Sequence, residues 1–587
     1  MTAVGPMIDL VREPSRNGFS GWRLATIALG MVALGALMIM RLVSLQVLDP
    51  ERYVEHGESQ RIRTQSLPGE RGAILFRDGE ELAVSSPRES IWADPRLIVD
   101  PQGTAAQIVA LAGGDIGQLT RRLSNGDAKF AWLARQLDDE TSAQVLELNM
   151  PGVYSTREQA RLTPSGTSVA RAILGRTDID GNGTSGLEAQ YDEILTGEAG
   201  RIVVERGLAS GDSKAVTIPD GEYELIAAES GDSLVLTLDR TVQFEVETLL
   251  ERTVAEAGAK SGTAIVSRTA TGEILAMSTV ARNSDGIIAV SGENKAVTWI
   301  VEPGSISKPL AVGALLEEGL VTPATTVEVT REIEIYDRVF TDVTRWEPEV
   351  LTTGEVLKAS SNVGVALLVD RISNERFHHY LGAYGLGTPT ALDFPGESAG
   401  ILHPEDEWSG VSKPSAAIGY GYAATPLQML RAYNVFANGG VLVEPHLVAG
   451  VRSPNGDFDI VSPRDGRRVV SEQTAQELSS LLAGVVSEGG TGYLASVPGY
   501  QIAGKTGTAR ILQPNGSYQD DEGAVHLLTS FVGYLPAGDP ELSIIVMIED
   551  PEGDASGGRV AAPLFGEISN FALQHFRIPP ADAVPAK

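Results

Sequence analysis

The feature that most constrains the fold of this 587-residue chain is the order and spacing of three short polar motifs. They are SISK at 305–308, SSN at 360–362 and KTG at 505–507. S-x-x-K and K-T-G each occur once, whereas S-x-N occurs three times, so the combination is more specific than any one motif. Ser360 follows Ser305 by 55 positions, and Lys505 follows Ser360 by 145 positions. These gaps leave room for a helical subdomain followed by a return to a sheet. We therefore expect three distant segments to meet in one domain.

The first motif contains the residues of an activated serine nucleophile. Pro303-Gly304 interrupts the chain, and a helix can begin around Ser305. Residues three apart share a helix face, so we expect the Lys308 amine beside the Ser305 hydroxyl. Desolvation and nearby cations lower the pKa of a lysine, and Lys308 could then take the serine proton. The alternative is a solvated Ser and Lys on an ordinary helix, but the apolar run PLAVGALLEEGL after Lys308 indicates a buried helix.

The second motif follows EVLKA and precedes VGVALLVDRI, which places it at or near the start of another helix. Ser360 could relay a proton between the nucleophile, Lys308 and a leaving amine. Asn362 has an amide that can donate to a substrate carbonyl and accept from a substrate N–H. The alternative is an N-cap without a catalytic role, because Ser and Asn are favoured at that position.

The third motif lies in YQIAGKTGTARIL, which is typical of a strand. Lys505, with the hydroxyls of Thr506 and Thr508, could hold a substrate carboxylate, the lysine acting as a point charge. Gly507 within a strand indicates close approach of another backbone, as an edge strand needs if an extended peptide lies along it. The N–H groups of Thr508 and Ser305 could form an oxyanion hole. The alternative, a turn with a solvated lysine, conflicts with the uninterrupted apolar pattern.

Composition excludes several function classes. The net charge of −31 argues against a nucleic-acid partner, because phosphate binding needs a basic face. The chain has no cysteine, which rules out disulfides and thiol catalysis. Its seven histidines show no metal-ligand spacing such as H-E-x-x-H. We therefore expect no metal and no cofactor.

One apolar segment indicates a membrane anchor. Residues 24–40 carry no charge, and the apolar LVSLQVL follows, so we predict a transmembrane helix over 24–45. No small-residue cleavage site stands out, which favours an uncleaved anchor over a signal peptide. The predicted tail, 1–23, is assigned to the cytoplasm because of its arginines Arg12, Arg16 and Arg23. The alternative is a buried core helix.

The remaining pattern predicts an α+β multidomain fold. Residues 46–235 alternate short strands with charged helices and carry no catalytic constellation, so we assign them to a non-catalytic pedestal. A long helix then opens a second domain over 236–576, with a hairpin turn at Thr271-Gly272. We expect that domain to contain an antiparallel sheet and a helical subdomain. A flexible tail is predicted over 577–587.

The motifs resemble those of a known family. EPGSISKPL, ASSNVGVALL and IAGKTGTAR are similar to the three catalytic boxes of class B penicillin-binding proteins of the cell-division type. IGYGYAATPLQMLRAYNVFANGG at 418–440 and SIWADP at 90–95 also resemble the division type. RGAILFRDGEELA and GLEAQYDEILTGEAG resemble the pedestal, or dimerisation-type, domain of that family. The resemblance extends over nearly all of the chain and implies a serine β-lactamase-like transpeptidase domain.

The resemblance implies a D,D-transpeptidase of septal wall synthesis. Ser305 would attack the D-Ala-D-Ala amide of a stem peptide, and an amine of a neighbouring stem would resolve the acyl-enzyme. β-Lactams would acylate Ser305 and remain bound. The implied setting is a single-pass cell-membrane protein with an extracytoplasmic catalytic domain, beside a SEDS-family glycosyltransferase and other divisome membrane proteins. Two alternatives are a membrane-bound β-lactamase or antibiotic sensor, and a divisome scaffold with a vestigial active site.

Overall fold

The computed structural model forms two compact units, one of residues 1–67 and 199–228 and one of 68–198 and 229–587. Within them the structure describes residues 21–48, 62–67, 69–166, 168–205, 223–342, 347–462, 465–553 and 555–580. Most of the predicted cytoplasmic tail, at 1–20, and the last seven residues of the predicted flexible tail, at 581–587, lie outside the described residues.

The smaller unit contains the predicted membrane segment. An α-helix spans Gly21–Val43 and continues into a π-helical turn at Ser44–Leu48. It is long and apolar enough to cross a membrane, and its apolar side chains are exposed rather than packed in a core. The unit also has an antiparallel sheet of three strands, in the order Ile62–Leu67, Gly200–Glu205 and Tyr223–Ile226.

The first part of the larger unit is a mixed helix and sheet region. Its strands are Ile74–Leu75, Glu81–Ala93, Ala131–Leu137, Val153–Leu162, Arg176–Thr177 and Gly183–Ser185. Its helices are Pro95–Leu97, Pro101–Ala112, Ile116–Leu123, Asp139–Glu147, Arg171–Leu174, Gly186–Gln190 and Asp192–Leu195.

The sheet of this region takes strands from a distant part of the chain. Ser233–Leu236 lies parallel to Ile74–Leu75 on one side and antiparallel to Val448–Arg452 on the other. Phe458–Ile460 then forms the edge of the sheet beyond Val448–Arg452. The predicted boundary at 235 is therefore crossed by a continuous hydrogen-bonded sheet, which local sequence patterns do not indicate.

The second part of the larger unit is built on a six-stranded antiparallel sheet, which confirms the predicted fold class. Its strands come from both ends of the domain. Their order is Ile288–Val290, Ile274–Arg282, Ser261–Arg268, Leu542–Glu549, Leu527–Leu535 and Ala503–Arg510. Ser261–Arg268 and Ile274–Arg282 form the predicted hairpin, and Gly272 in its turn has a φ of +76°. The KTG strand is at the edge of this sheet.

Helices cover both faces of the sheet, so its strands are buried on both sides. Successive side chains of a strand point to opposite faces, and accordingly Ile265 and Val266 belong to different apolar clusters. The helices of this part are Arg240–Glu256, Lys295–Thr298, Gly304–Ser307, Lys308–Glu317, Thr353–Lys358, Asn362–Val369, Asn374–Ala383, Glu405–Glu407, Ser412–Ala417, Pro426–Ala437, Glu472–Val486, Tyr493–Ala495, Gly557–Ala561 and Ala562–His575. Short two-stranded ribbons pair Thr326–Val329 with Glu349–Thr352, Glu332–Ile335 with Arg338–Thr341, and Val441–Leu442 with Arg467–Arg468.

The chain remains packed at the start of the predicted flexible tail. The Ile578 side chain is buried in the cluster beneath the last helix. Its carbonyl accepts a hydrogen bond of 2.6 Å from the Tyr500 hydroxyl. The ordered domain therefore continues past residue 577, because an apolar residue there completes the core.

A buried carboxyl joins the two parts of the larger unit. Glu247, on the helix Arg240–Glu256, accepts hydrogen bonds from the Ala170 N–H at 2.9 Å and from the Gln243 amide at 2.7 Å. Burial raises the pKa of Glu247 to about 7, although these hydrogen bonds oppose the shift. In the folded protein the protonated form is therefore favoured below about pH 7.

We expect stability to fall as the pH rises from about 4.5 to about 7 and to level off above that, because over this range the folded state holds a proton that the unfolded state has already released. A shift from 4.5 to about 7 corresponds to about 3 kcal/mol. Thermal unfolding of the detergent-solubilised chain between about pH 4 and pH 8.5 measures this loss. Glu247→Gln should lose less stability over that range than the wild type. The exposed Glu256→Gln on the same helix is the control, and identical pH profiles for all three proteins would contradict the prediction.

Candidate active site

Two glycines place Ser305 at the KTG strand. Gly304 has φ +60°, and its N–H donates a hydrogen bond of 3.0 Å to the Gly419 carbonyl. A Cβ on Gly419 would lie 2.1 Å from the Gly304 oxygen, and one on Gly304 would lie 2.8 Å from the Ala509 Cβ. Both positions therefore need glycine, because each has a left-handed φ and a Cβ would clash with the Gly304 backbone in one case and with the Ala509 side chain in the other. Ser305 follows in a 3-10 turn, and the α-helix begins at Lys308.

Two buried tyrosines support this turn from behind. The Tyr433 hydroxyl donates to the Ile306 carbonyl at 2.7 Å. The Tyr422 hydroxyl forms a short hydrogen bond with the Ser307 hydroxyl. Both tyrosines lie in the 418–440 segment, whose contact with the first motif the sequence did not indicate. Hydrogen bonds thus hold Gly304 before Ser305, and Ile306 and Ser307 after it. Ser305 itself is partly buried and faces the cleft.

Lys308 is fully buried and hydrogen-bonded to the second motif. Its amine donates to the Ser360 carbonyl at 2.6 Å and to the Ser360 hydroxyl at 3.2 Å. Burial lowers the pKa of Lys308 to about 7, and the nearby Asp342 carboxylate opposes the shift. We expected the Lys308 amine beside the Ser305 hydroxyl. Among the described residues, the hydrogen bonds of the Lys308 amine go to Ser360, which lies just before the helix Asn362–Val369.

Ser360 has a backbone conformation that is unusual for serine. Its φ is +57°, in the left-handed region, at the end of the helix Thr353–Lys358. This conformation costs of the order of 1 kcal/mol or more and persists only where surrounding contacts impose it. Here it lets both the carbonyl and the hydroxyl of Ser360 accept from Lys308, while the hydroxyl also accepts from Lys505 at 2.9 Å. Ser360 is therefore the meeting point of all three motifs.

A carboxylate that the sequence did not indicate stabilises the second motif. Asp342 accepts from the N–H groups of Asn362 at 2.6 Å and Val363 at 3.2 Å, at the start of the helix Asn362–Val369. It also accepts a short hydrogen bond from the Ser361 hydroxyl. An anion is favoured at a helix N-terminus, where backbone N–H groups are unpaired. Asp342 lies twenty residues before Asn362 in the chain, and no spacing rule connects the two.

The N-cap alternative applies to one residue of the second motif. The Ser361 hydroxyl accepts from the Gly364 N–H at 2.8 Å, so Ser361 is the N-cap. The Asn362 side chain donates to the Thr341 carbonyl at 2.9 Å, and the residue lines the cleft. Ser360 lies outside this helix but ends the preceding helix Thr353–Lys358: it is the left-handed residue after the C-cap Ala359, and its N–H donates to the Leu357 carbonyl at 3.1 Å.

Lys505 is also fully buried and points away from solvent. Besides Ser360, its amine contacts the Thr506 carbonyl at 3.0 Å and the Thr506 hydroxyl at 3.4 Å. Burial and the neighbouring charge of Lys308 lower the pKa of Lys505 well below its usual value. We predicted Lys505 as a point charge for a substrate carboxylate. That role stays a prediction; in the structure the Lys505 amine lies beneath the cleft and donates a hydrogen bond to Ser360.

The rest of the third motif forms one wall of the cleft. The Thr506 hydroxyl donates to the Thr491 hydroxyl at 2.9 Å, and the Thr508 hydroxyl accepts from the Gly557 N–H at 3.0 Å. A Cβ on Gly507 would lie 2.2 Å from the Ser530 Oγ, which accounts for the glycine. Thr508 is exposed at the edge of the sheet.

These elements enclose a cleft of about 570 Å³. It contains Ser305, Ser360, Asn362, Thr506 and Thr508 of the predicted site, whereas Lys308 and Lys505 lie beneath it. The other lining residues are Asp342, Ala359, Ile418, Tyr420, Gly490, Thr491, Tyr493, Leu494, Ser556, Gly558 and Arg559. Among the described residues, no group of three or more His, Cys, Asp or Glu residues could hold a metal ion.

The chain matches two family models. Residues 262–570 match the penicillin binding protein transpeptidase domain, and 66–215 match the penicillin-binding protein dimerisation domain. The penicillin-binding protein PbpB of Mycolicibacterium smegmatis is 33% identical over 600 residues, covering 94% of this chain and 90% of that protein. The peptidoglycan D,D-transpeptidase FtsI of Escherichia coli K12 is 31% identical over 580 residues, covering 97% and 94%.

Solved structures show the same similarity. Penicillin binding protein 3 from Mycobacterium tuberculosis, complexed with aztreonam, has a TM-score of 0.68 at 29% identity, covering 88% of this chain and 98% of that one. A peptidoglycan synthetase from Bifidobacterium adolescentis has a TM-score of 0.70 at 25% identity, covering 90% and 99%.

The close contact between Gly304 and Gly419 can be tested with a matched pair of variants. Gly419→Ala should destabilise the protein by several kcal/mol, because it combines a left-handed φ of +88° with a clash against the Gly304 oxygen. Gly421→Ala, with φ +80° but nothing within 4 Å of its Cβ, should cost only about 1 kcal/mol. Thermal unfolding measures both, and equal losses would show that the clash is relieved at no cost.

Proposed function

The chain belongs to the class B penicillin-binding proteins and is a peptidoglycan D,D-transpeptidase, and we propose that Ser305 is its nucleophile. In this proposal Ser305 forms an acyl-enzyme with the penultimate D-Ala of a stem peptide, and the terminal D-Ala leaves. The amine of a second stem peptide then attacks the ester and forms the cross-link. β-Lactams acylate the same serine, and the septal wall is the site of synthesis.

One observation carries the assignment of the residues. Two fully buried lysines, Lys308 and Lys505, share the Ser360 hydroxyl at 3.2 and 2.9 Å. Two positive charges this close repel each other strongly when both side chains are fully buried, so the pair favours loss of a proton. A neutral lysine at neutral pH is a base, and a serine needs a base nearby to become a nucleophile.

We assign the roles as follows. Neutral Lys308 accepts the Ser305 proton as the hydroxyl attacks the substrate carbonyl. Ser360, between the two amines, passes a proton to the leaving amine of D-Ala. Lys505 donates to the Ser360 oxygen throughout and keeps that hydroxyl oriented. The Ser305 and Thr508 N–H groups stabilise the oxyanion, and Asn362 holds the substrate amide.

The membrane setting follows from the smaller unit. The helix Gly21–Val43 anchors the chain in the membrane. We propose that residues 1–23 are cytoplasmic, because arginines precede the helix, and that the catalytic domain is extracytoplasmic, where its substrate is. A SEDS-family glycosyltransferase and other divisome membrane proteins are the proposed partners of the helix and the pedestal.

Labelling with a fluorescent penicillin is the first test of this function. The wild type should form a covalent adduct that persists for many minutes, because the acyl-serine awaits an amine acceptor. Ser305→Ala should form none, because the nucleophile is gone, and gel fluorescence measures both. Rapid loss of the wild-type adduct would indicate a β-lactamase, and the absence of any adduct would indicate a scaffold.

The pH dependence of acylation tests the base. The rate of acylation should rise with pH through about 7 and then level off, because Lys308 must lose its proton to act. Asp342→Asn should move this rise to lower pH, because the carboxylate that raises the pKa of Lys308 is removed. Stopped-flow fluorescence measures the rates. The exposed Asp285→Asn is the control, and an unchanged profile in Asp342→Asn would show that another group is the base.

The orientation can be tested with single cysteines, because the chain has none of its own. Val99→Cys is at a position 95% exposed in the pedestal and should react with a membrane-impermeant maleimide on intact spheroplasts. Ser15→Cys should react only after lysis, because it precedes the membrane helix on the cytoplasmic side. The reverse pattern would place the catalytic domain in the cytoplasm.

A further inference from the structure

We propose that Tyr493 and Leu494, the apolar pair, form a subsite for the acceptor, and that this subsite takes an aliphatic chain that carries the attacking amine. The inference rests on the proposed function, because it concerns the second half of that reaction. Both side chains line the cleft, and each is 52% exposed. Two adjacent apolar side chains left half exposed in a cleft offer contact area to an apolar part of a bound molecule.

A well-anchored turn presents the apolar pair. The turn is the 3-10 helix Tyr493–Ala495, and Ala495 at its end is fully buried in the core. Before the turn, a Cβ on Gly492 would lie 2.9 Å from a ring carbon of Phe531, so the backbone there lies directly on the core. The chain is therefore held on both sides of the apolar pair, and the two side chains stay at the cleft.

The turn lies at the Ser360 end of the KTG strand. Thr491 precedes the turn by two residues, and its hydroxyl accepts a hydrogen bond of 2.9 Å from the Thr506 hydroxyl. Thr506 is next to Lys505, whose amine donates to Ser360. Thr508 is two positions further along the strand, about 7 Å away. The apolar pair is therefore on the Thr506 side of the cleft.

The proposed roles determine which part of the substrates reaches that side. The Thr508 N–H holds the oxyanion, and Ser360 passes a proton to the leaving amine, so the leaving amine lies on the Ser360 side of the carbonyl. The acceptor amine later attacks the same carbonyl and gives up its proton along the same path. The atoms attached to the acceptor nitrogen therefore lie against the apolar pair.

Methylene groups suit this surface better than polar groups do. An amine at the end of a hydrocarbon chain presents CH2 groups to the tyrosine ring and the leucine, and each CH2 that is buried strengthens binding about two- to fourfold. An α-amino acid would instead place a carbonyl group beside its amine, and burial against two apolar side chains would strip water from that group at a cost. The subsite therefore selects an amine carried on an aliphatic chain.

Partition of one acyl-enzyme between water and added amines tests this inference. An N-acyl-D-alanyl-thioglycolate acylates the full-length chain in detergent: the Ser305 oxygen forms an ester with the D-alanyl carbonyl, the C–S bond breaks, and the thiolate takes up a proton. Water or the amine then attacks the ester carbon, the bond from that carbon to the Ser305 oxygen breaks, and this oxygen takes the proton that the nucleophile loses. Liquid chromatography with mass detection gives the ratio of amide product to acid product.

The amines are ethylamine, propylamine, butylamine and pentylamine, which are almost equally basic, and 3-methoxypropylamine, in which an oxygen replaces one methylene of pentylamine. In the wild type, the product ratio per unprotonated amine should rise about two- to fourfold with each methylene, and the ether should fall below pentylamine. Tyr493→Ala and Leu494→Ala should each weaken this dependence. In the double variant it should fall below about 1.5-fold per methylene, because the contact area is gone.

The product ratio does not depend on the rate of acylation or on the fraction of folded enzyme, so a poorly folded variant cannot imitate the expected result. Leu97→Ala removes a leucine that is similarly exposed, at 50%, in the pedestal, and it should keep the wild-type dependence.

Three results would overturn the inference. They are a wild-type ratio that does not change with chain length, a double variant that keeps the wild-type dependence, and a double variant whose ratio falls equally for every amine, which would mean that the apolar pair only keeps water out. Each of them leaves the acyl-enzyme at Ser305 in place. A wild type that neither binds penicillin nor releases thiol would instead overturn the proposed function.

Discussion

The active site depends on one hydroxyl that is shared by two buried lysine amines. Ser360 accepts from Lys308 and Lys505, and each amine is fully removed from solvent. Burying two ammonium groups is strongly unfavourable, so the pKa of each amine is lowered, and each amine is hydrogen-bonded to Ser360. The left-handed conformation of Ser360 makes this possible, because it turns the carbonyl as well as the hydroxyl inward.

The surrounding structure serves to hold this arrangement. Asp342 and the Ser361 cap fix the helix that follows Ser360, and the Gly304 and Gly419 backbones bring Ser305 to the edge strand. The sheet of the pedestal continues through Val448–Arg452, a segment that follows the tyrosines supporting the Ser305 turn. The non-catalytic part and the catalytic part are therefore connected by backbone hydrogen bonds as well as by side-chain packing.

Much of the fold could be predicted from periodicity. The helix after Lys308, the hairpin at Gly272 and the KTG strand are local patterns, and the structure has each of them. Asp342 could not be predicted, since one carboxylate among 77 acidic residues has no distinguishing local pattern. The same holds for the pairing of Val448–Arg452 with Ser233–Leu236, because strand partners far apart in sequence are chosen by packing. The direction in which the Lys505 amine points, toward Ser360, could not be predicted from the sequence either.

The sequence by itself determined which chemical groups are available, their order along the chain, and the helix or strand that carries each one. It also determined that a serine, two lysines and an apolar anchor are present, because these are properties of the residues themselves. Only the tertiary structure decided that both lysines lie beneath the cleft and that Ser360 joins them. The physical reason is that burial and distance set the charge and reach of a side chain, and neither is a property of local sequence.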